Sequence, residues 1–207
     1  YNLNDYAVSS WYKDGVVIVD ASRPNNLVIT GDYDTSPLSG AGMEGCWGVY
    51  AFLPSGNLLC SDIQEGMYVL APTYIRGCYL EGTVTALSTG NPIVNAAVKL
   101  LTTTINTTSS LTGTYKTGTA ASGIYNVEFS APGFISDTLS ANLTNGLLTV
   151  LDAQLVLLNP VSFSGQVKEK NSGLPVTNAN VRIENSNYLY NLLTDTAGNF
   201  SVFRKCL

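Results

Sequence analysis

The chain has 207 residues, of which 45% are hydrophobic and only 12% are charged, and its formal net charge is −5. This charged fraction is about half that of a usual soluble domain, and the composition differs from the polar, highly charged one of disordered chains. The few lysines and arginines are scattered, so nucleic acid is not an expected partner.

The sequence contains no histidine. Catalytic triads, histidine-ligated zinc sites and most general bases at neutral pH depend on imidazole, so we expect neither enzyme activity nor a metal or cofactor site. No apolar run approaches about 18 residues, so no membrane span is expected. Tyr1 lies within patterned sequence, without an initiator Met or signal peptide before it, as in a processed chain or a fragment.

Short runs of Val, Ile, Leu, Thr and Tyr alternate with clusters of Gly, Asn, Asp and Pro along the whole chain. No window keeps the apolar spacing of a helix between capping residues. This pattern predicts an all-β protein.

Residues 1–78 contain two similar strand, turn and strand units, because Ser10–Val19 aligns with Ser61–Leu70. The stretch DGVVIVD followed by SRPNN resembles an LVIVD-type repeat, whose members build β-propeller blades. The stretch from Gly45 to Tyr74 resembles the last blade region of choice-of-anchor B family proteins, which are large secreted bacterial proteins. These resemblances imply two partial propeller-like blades, too few to close a ring.

A second repeat follows, because Leu80–Leu100 aligns with Phe163–Ile183 with seven identities in 21 positions. Period-two alternation predicts that Leu80, Gly82 and Val84 share one face of a strand. Sheets packed through such faces make a sandwich, and about 80 residues suffice for one small core. We predict one β-sandwich over 79–159 and a second over 160–207.

The segments GTVTALSTGNPIVNAAVKLL, SGIYNVEFSAPGF and LLTVLDAQL together resemble the carboxypeptidase regulatory-like family across residues 79–158. The resemblance implies a transthyretin-like or Ig-like sandwich of about seven strands. The segment from Ser164 to Phe203 is similar to the first two-thirds of the same family. It places Gly198 and Phe200 where the first copy has Gly123 and Tyr125. Since the family's remaining strands do not follow, we expect either a window of a longer protein or a strand supplied by another molecule.

Four cysteines in a chain that looks secreted predict disulfides. A regular hairpin around Pro54–Asn57 would place Cys46 roughly 16 Å along the strand from the position opposite Cys60, beyond the ~7 Å Cα limit of a bridge. A Cys46–Cys60 bridge is therefore disfavoured, and Cys46 with Cys78 is the predicted pair. Buried free thiols are the alternative.

Aromatic residues are concentrated in the first 80 positions, and aromatic rings form sugar-stacking platforms in many extracellular β modules. Trp11, Trp47 and Tyr188 are the candidate carbohydrate contacts, with packing between strands as the alternative for the two tryptophans. Thr138 and Thr196 lie in Asp-Thr-apolar sequences that match a bacterial O-glycosylation motif. N-glycosylation sequons begin at Asn106, Asn142 and Asn199, although a chain rich in Asn and Thr produces such sequons by chance.

These features favour a non-catalytic, extracellular structural or adhesive module of a bacterial surface protein or filament. Its expected partners are other copies of itself or neighbouring surface proteins, joined by strand addition, and glycans. One alternative is a carbohydrate-binding accessory module of a larger secreted protein. A third interpretation is the accessory domain of a metallocarboxypeptidase, although without histidine this chain lacks the zinc ligands of such an enzyme.

Overall fold

The computed structural model describes residues 1–40, 42–158, 161–184 and 189–204. These residues form twenty β-strands and no helix, which confirms the all-β prediction. They fall into two compact units: the first comprises Tyr1–Ala131 with Ile135–Val156, and the second comprises Pro132–Phe134 with the described residues from Leu157 onward. The predicted boundary at 159/160 lies outside the described residues, and the boundary at 78/79 stays a prediction.

The chain begins with a four-stranded antiparallel sheet in the order β1-β2-β3-β4. Its strands are β1 (Asn2–Leu3), β2 (Tyr6–Ser10), β3 (Val16–Asp20) and β4 (Val28–Tyr33). Gly15 lies in the β2–β3 turn, immediately before β3, and has φ of 74°. A Cβ there would collide with the Tyr33 carbonyl oxygen. Only glycine fits this position.

A three-stranded antiparallel sheet follows in the order β5-β6-β7. Its strands are β5 (Cys46–Tyr50), β6 (Leu58–Asp62) and β7 (Gly66–Leu70). Both sheets contribute to one core, made of Tyr6, Val8, Val16, Ile18, Cys46, Val49, Ala51, Leu58 and Cys60. The sheets in the described residues are open, and a propeller arrangement is not shown; the LVIVD-type repeat stays a prediction.

Residues 78–157 form two further sheets. Their strands are β8 (Cys78–Ala86), β9 (Ala97–Leu100), β10 (Asn106–Thr108), β11 (Thr114–Thr119), β12 (Gly123–Ser130), β13 (Phe134–Ile135), β14 (Asp137–Leu143), β15 (Leu148–Val150) and β16 (Ala153–Leu157). One sheet has the order β10-β9-β12-β14 and the other β11-β8-β16-β13, with β15 also paired to β8. Leu80 and Val84 are fully buried, as the predicted alternation requires, and so are Val98 and Phe129.

The second unit contains β17 (Val161–Gln166) paired with β20 (Asn199–Arg204), and β18 (Asn180–Glu184) paired with β19 (Leu189–Leu193). These four strands repeat the geometry of β8 with β11 and β9 with β10. Gly165 pairs with Phe200 as Gly82 pairs with Tyr115.

The predicted alignment of Gly198 with Gly123 is therefore wrong. Gly198 corresponds to Gly113: both have positive φ, and their carbonyl oxygens accept the N–H of Val167 and Val84, respectively. The second unit has two more residues than the first in the segment before Gly198, so the sequence offset between equivalent positions of the two copies rises from 83 to 85. This larger offset makes β20 equivalent to β11 rather than to β12.

Candidate functional site

The predicted Cys46–Cys78 pair is wrong, because Cys46 is bonded to Cys60. The Cα atoms of Cys46 and Cys60 lie 6.5 Å apart. Cys60 pairs with Val49 rather than with Ala51, and a β-bulge between Cys46 and Gly48 shortens the path along β5. The estimate of roughly 16 Å assumed a regular ladder, which the bulge interrupts.

Cys78 is buried and is free of a disulfide among the described residues. Burial raises the pKa of its thiol, although a contact with the Ser122 hydroxyl partly opposes that rise. Cys206 lies outside the described residues.

The buried carboxylate of Asp20 joins the first sheet to the residues immediately before β8. Asp20 ends β3 and has no solvent-exposed surface. Its Oδ2 accepts the backbone N–H of Gly77 at 2.8 Å, and its Oδ1 accepts the Arg76 guanidinium at 3.0 Å. Although burial favours the neutral acid, hydrogen bonds from Tyr79, Ser22 and Gly77 outweigh it and hold the pKa of Asp20 well below its ordinary value.

Further polar contacts surround this carboxylate. The Asn26 amide donates to Glu81 and to the Thr117 carbonyl oxygen, each at 3.1 Å. The Arg76 guanidinium lies 4.6 Å from the centroid of the Tyr6 ring, within cation–π range. These contacts fix the first sheet to β8 and β11. We call the residues that make them the junction: Tyr6, Asp20, Asn26, Arg76, Gly77, Glu81 and Thr117.

The junction is not evident from the sequence alone. Its signal is weak: Asp20 is one charged residue at the end of the apolar run VVIVD. Its partners Arg76 and Gly77 lie 56 and 57 positions away, and only the fold brings them to Asp20.

Two of the three candidate carbohydrate contacts are exposed in the first unit. Trp11 is 58% exposed and Trp47 is 64% exposed. The Tyr12 ring meets Trp47 edge-on at 6.0 Å, and the rings of Tyr50, Tyr1 and Phe52 form three mutual edge-to-face contacts. We call these six residues the aromatic strip: Tyr1, Trp11, Tyr12, Trp47, Tyr50 and Phe52. Tyr188 lies outside the described residues.

The candidate glycosylation residues lie at the surface. Thr138 is exposed on β14, and Thr196 is exposed in the turn that follows β19. Asn106, Asn142 and Asn199 are also exposed. Exposure makes modification sterically possible, and glycosylation stays a prediction.

Two observations concern metal sites and membrane segments. The structure brings together no group of three or more His, Cys, Asp or Glu side chains that could hold a metal ion, within the described residues. In the same part of the chain, no helix has the length and hydrophobicity needed to cross a membrane.

Comparison with one solved structure shows a shared fold, and a second similarity is weaker. A streptococcal ancillary pilin matches 72% of this chain with a TM-score of 0.50 and 10% identity, and the chain spans 63% of that pilin structure. The TIE protein of Bacillus anthracis matches 72% of this chain and 33% of its own length at 14% identity, with a TM-score of 0.39. No curated protein matches the sequence.

A family model gives the more specific result. Carboxypeptidase regulatory-like domain is the family whose model matches residues 79–156. These residues include β9 to β15, with nearly all of β8 and β16, and therefore nearly the whole of the two-sheet structure. The prediction made from the Gly, Pro and Asn pattern of this segment is confirmed: residues 79–156 form a carboxypeptidase regulatory-like domain.

Proposed function

We propose that this chain is a non-catalytic, extracellular structural or adhesive module of a bacterial surface protein or filament. The observation that carries the proposal is the fold shared with the streptococcal ancillary pilin over 72% of the chain. The Cys46–Cys60 disulfide supports an oxidising compartment, since such bonds are rare in the cytosol.

The junction supports a structural role for the first unit. The buried Asn26 side chain bonds the first sheet to Glu81 and Thr117 of the carboxypeptidase regulatory-like domain, and the buried Asp20 carboxylate holds Arg76 and Gly77, which immediately precede that domain. Polar groups that are satisfied in this way resist separation, because breaking them would leave unpaired charges.

Surface location is the direct test. Antibodies raised against residues 1–207 should label intact cells that make the full-length protein, and external protease should remove the label. A cytoplasmic enzyme followed in the same cells is the control for leakage. Labelling only after cell lysis would refute the extracellular proposal.

We propose strand addition as the mode of association with other copies or neighbouring surface proteins. Among the described strands, β18 pairs only with β19, and β17 pairs only with β20, so each has an edge that can accept a strand. Association should slow hydrogen exchange at the backbone amides of β18 as protein concentration rises. Unchanged exchange in a sample that scattering shows to be oligomeric would refute strand addition at this edge.

Carbohydrate binding is the second candidate function, favoured by the exposure of Trp11 and Trp47. Exposed tryptophan rings present apolar faces that sugars can stack on. The accessory role beside a metallocarboxypeptidase stays a prediction.

A further inference from the structure

The first and last strands of the carboxypeptidase regulatory-like domain lie side by side and run in the same direction. β8 begins at Cys78, and β16 ends at Leu157. Both β15 and β16 pair with β8 in parallel, and one register covers β8 from Tyr79 to Ala86. The polypeptide therefore enters this ladder of paired strands at one end and leaves it at the opposite end.

Hydrogen bonds close the ladder at both ends. At its start, the Leu147 carbonyl oxygen accepts the Tyr79 N–H at 3.1 Å, and at its finish the Leu155 carbonyl oxygen accepts the Leu87 N–H at 2.9 Å. Tyr79 and Leu155 are buried. Backbone groups that separate beside buried side chains lose a partner before water can replace it, which raises the cost of breaking each bond.

One interruption divides β15 from β16, and further hydrogen bonds bridge it. The Oδ1 atom of Asp152 accepts both the N–H and the hydroxyl of Thr83, each at 2.8 Å. The Leu151 N–H donates to the Glu81 carbonyl oxygen at 2.9 Å, and the Leu151 carbonyl oxygen accepts the Tyr115 hydroxyl at 2.6 Å. The cross-strand bonds thus continue where the regular strand pairing stops.

Force that reaches this domain through the polypeptide acts along the ladder. Tension on Cys78 and Leu157 in opposite directions slides β8 past its parallel neighbours, so the hydrogen bonds between them are loaded together. Tension on two residues at the same end of the ladder instead opens it one bond at a time. Because forced unfolding is governed by the height of its barrier, sliding should be the slower of the two processes.

We propose that the ladder of β8 with β15 and β16 is a mechanical clamp, which keeps the domain folded under tension along the polypeptide. A module that connects a cell surface or filament to a partner experiences such tension. The inference therefore rests on the proposed structural or adhesive function. Its test uses purified protein, so a negative result would leave the extracellular location to the labelling experiment.

Optical tweezers acting on the purified 207-residue chain can apply both directions of force. The handles are attached to pairs of introduced cysteines: Ile75→Cys with Leu157→Cys for sliding, and Ile75→Cys with Leu147→Cys for opening from one end. These three side chains are at least 37% exposed. The substitutions Cys78→Ala and Cys206→Ala leave the introduced cysteines as the attachment points, and non-reducing conditions preserve the disulfide.

At equal force, unfolding should be about a hundredfold slower in the sliding direction, as expected when two or three ordinary hydrogen bonds must break together. Asp152→Ala removes both bonds to Thr83 and should accelerate unfolding about tenfold in the sliding direction, with a smaller effect on opening from one end. Gln154→Ala is the matched control, since it truncates an exposed side chain on β16 and should leave both rates unchanged.

Two results would overturn the proposal. The first is an equal rate of unfolding in the two directions, a comparison that does not depend on the Asp152 variant. The second is an effect of Asp152→Ala of the same size in both directions, because Asp152 would then stabilise the fold without contributing to the clamp. Circular dichroism of each variant verifies that the protein under tension is folded.

Discussion

The carboxypeptidase regulatory-like domain and the second unit share one set of turn hydrogen bonds but differ in the burial of their side chains. In the first, the Ser109 hydroxyl accepts the Ala96 N–H at 2.9 Å and donates to the Ile93 carbonyl oxygen at 2.6 Å. In the second, Thr194 accepts the Ala179 N–H at 2.8 Å and donates to the Val176 carbonyl oxygen at 2.6 Å. The backbone geometry of the repeat is the same in both units.

The burial of equivalent side chains differs between the two units. Leu80 is fully buried, whereas its counterpart Phe163 is 48% exposed. In the first unit, β12 pairs with β9 and β16 pairs with β8, and their side chains cover this core. Within the described strands of the second unit, β17 and β18 each have a single partner. Turn geometry is thus encoded over about twenty residues, while burial depends on strands that lie further along the chain.

The largest expected effect comes from equivalent rings in the two units. Tyr115 is 2% exposed and packs against Phe129 at 5.6 Å, and Phe200 is half-buried. Tyr115→Ala should lower the free energy of unfolding of the first unit by about 3 to 5 kcal/mol, the cost of deleting a buried ring. Phe200→Ala should cost the second unit about 1 kcal/mol, because less surface returns to water.

Urea unfolding followed by tryptophan fluorescence measures the first unit, and hydrogen exchange of β20 amides measures the second. Tyr115→Phe is the matched control: it keeps the ring and loses only the hydroxyl bond to the Leu151 carbonyl oxygen, at about 1 kcal/mol. Equal losses for the two alanine variants would show that the difference in burial has no energetic consequence.

The disulfide stabilises only the first unit. Reduction of Cys46–Cys60, which are separated by 14 positions, should lower the free energy of unfolding of that unit by about 3 kcal/mol. The exchange rates of β17 to β20 should not change. Peptide mapping under non-reducing conditions should recover Cys46 linked to Cys60, also in a Cys78→Ala variant, and a Cys46–Cys78 peptide would contradict the structure.

The strands and their faces are predictable from the sequence, but the bulge in β5 is not. Leu80 and Val84, which are predicted to share one face of a strand, are both buried, because period-two alternation holds along regular strands. At Trp47 one extra residue reverses the alternation, and no sequence signal marks it. Together with the register that pairs Cys60 with Val49 rather than with Ala51, this irregularity makes the Cys46–Cys60 bridge possible, and it leaves Trp47 exposed.

The misalignment of Gly198 has a related cause. A glycine followed two positions later by an aromatic residue occurs both at Gly113 and at Gly123, and the sequence does not say which of them the second copy repeats. Strand pairing decides it, since Phe200 lies opposite Gly165 as Tyr115 lies opposite Gly82. The junction was missed for the same reason, because its contacts join residues distant in sequence.

Acid should lower the free energy of unfolding of the first unit more than that of the second. Its core contains the buried carboxylates of Asp20 and Asp62, whereas no carboxylate is buried among the described residues of the second unit. The pKa of Asp20 is lower in the folded state than in the unfolded chain, so the unfolded state binds more protons as the pH falls. The stabilisation is complete above the unfolded pKa, near pH 4, and is lost progressively below it.

Asp20→Asn should remove about 2 kcal/mol at neutral pH and flatten the loss of stability between about pH 5 and pH 2. Urea titrations over this range measure both effects, with Asp137→Asn as an exposed control. An unchanged pH profile in Asp20→Asn would assign the acid sensitivity to other groups.

The smallest effects test whether turn geometry is independent of burial. Gly113 and Gly198 have φ of 76° and 75°, and an added Cβ would lie 2.7 Å from the Val84 carbonyl oxygen and 2.5 Å from that of Val167. Alanine at either position should cost about 2 kcal/mol, because the left-handed conformation and the close contact both disfavour it.

Gly90 and Gly173 are the matched controls, with φ of 69° and 68° and nothing within 4 Å of an added Cβ, so alanine there should cost about 1 kcal/mol. Unfolding of the first unit and hydrogen exchange of the second measure the four variants. Because the contacts are the same in both units, Gly113→Ala and Gly198→Ala should differ far less than Tyr115→Ala and Phe200→Ala. A much smaller loss for Gly198→Ala would mean that the turns also depend on the strands that cover the core.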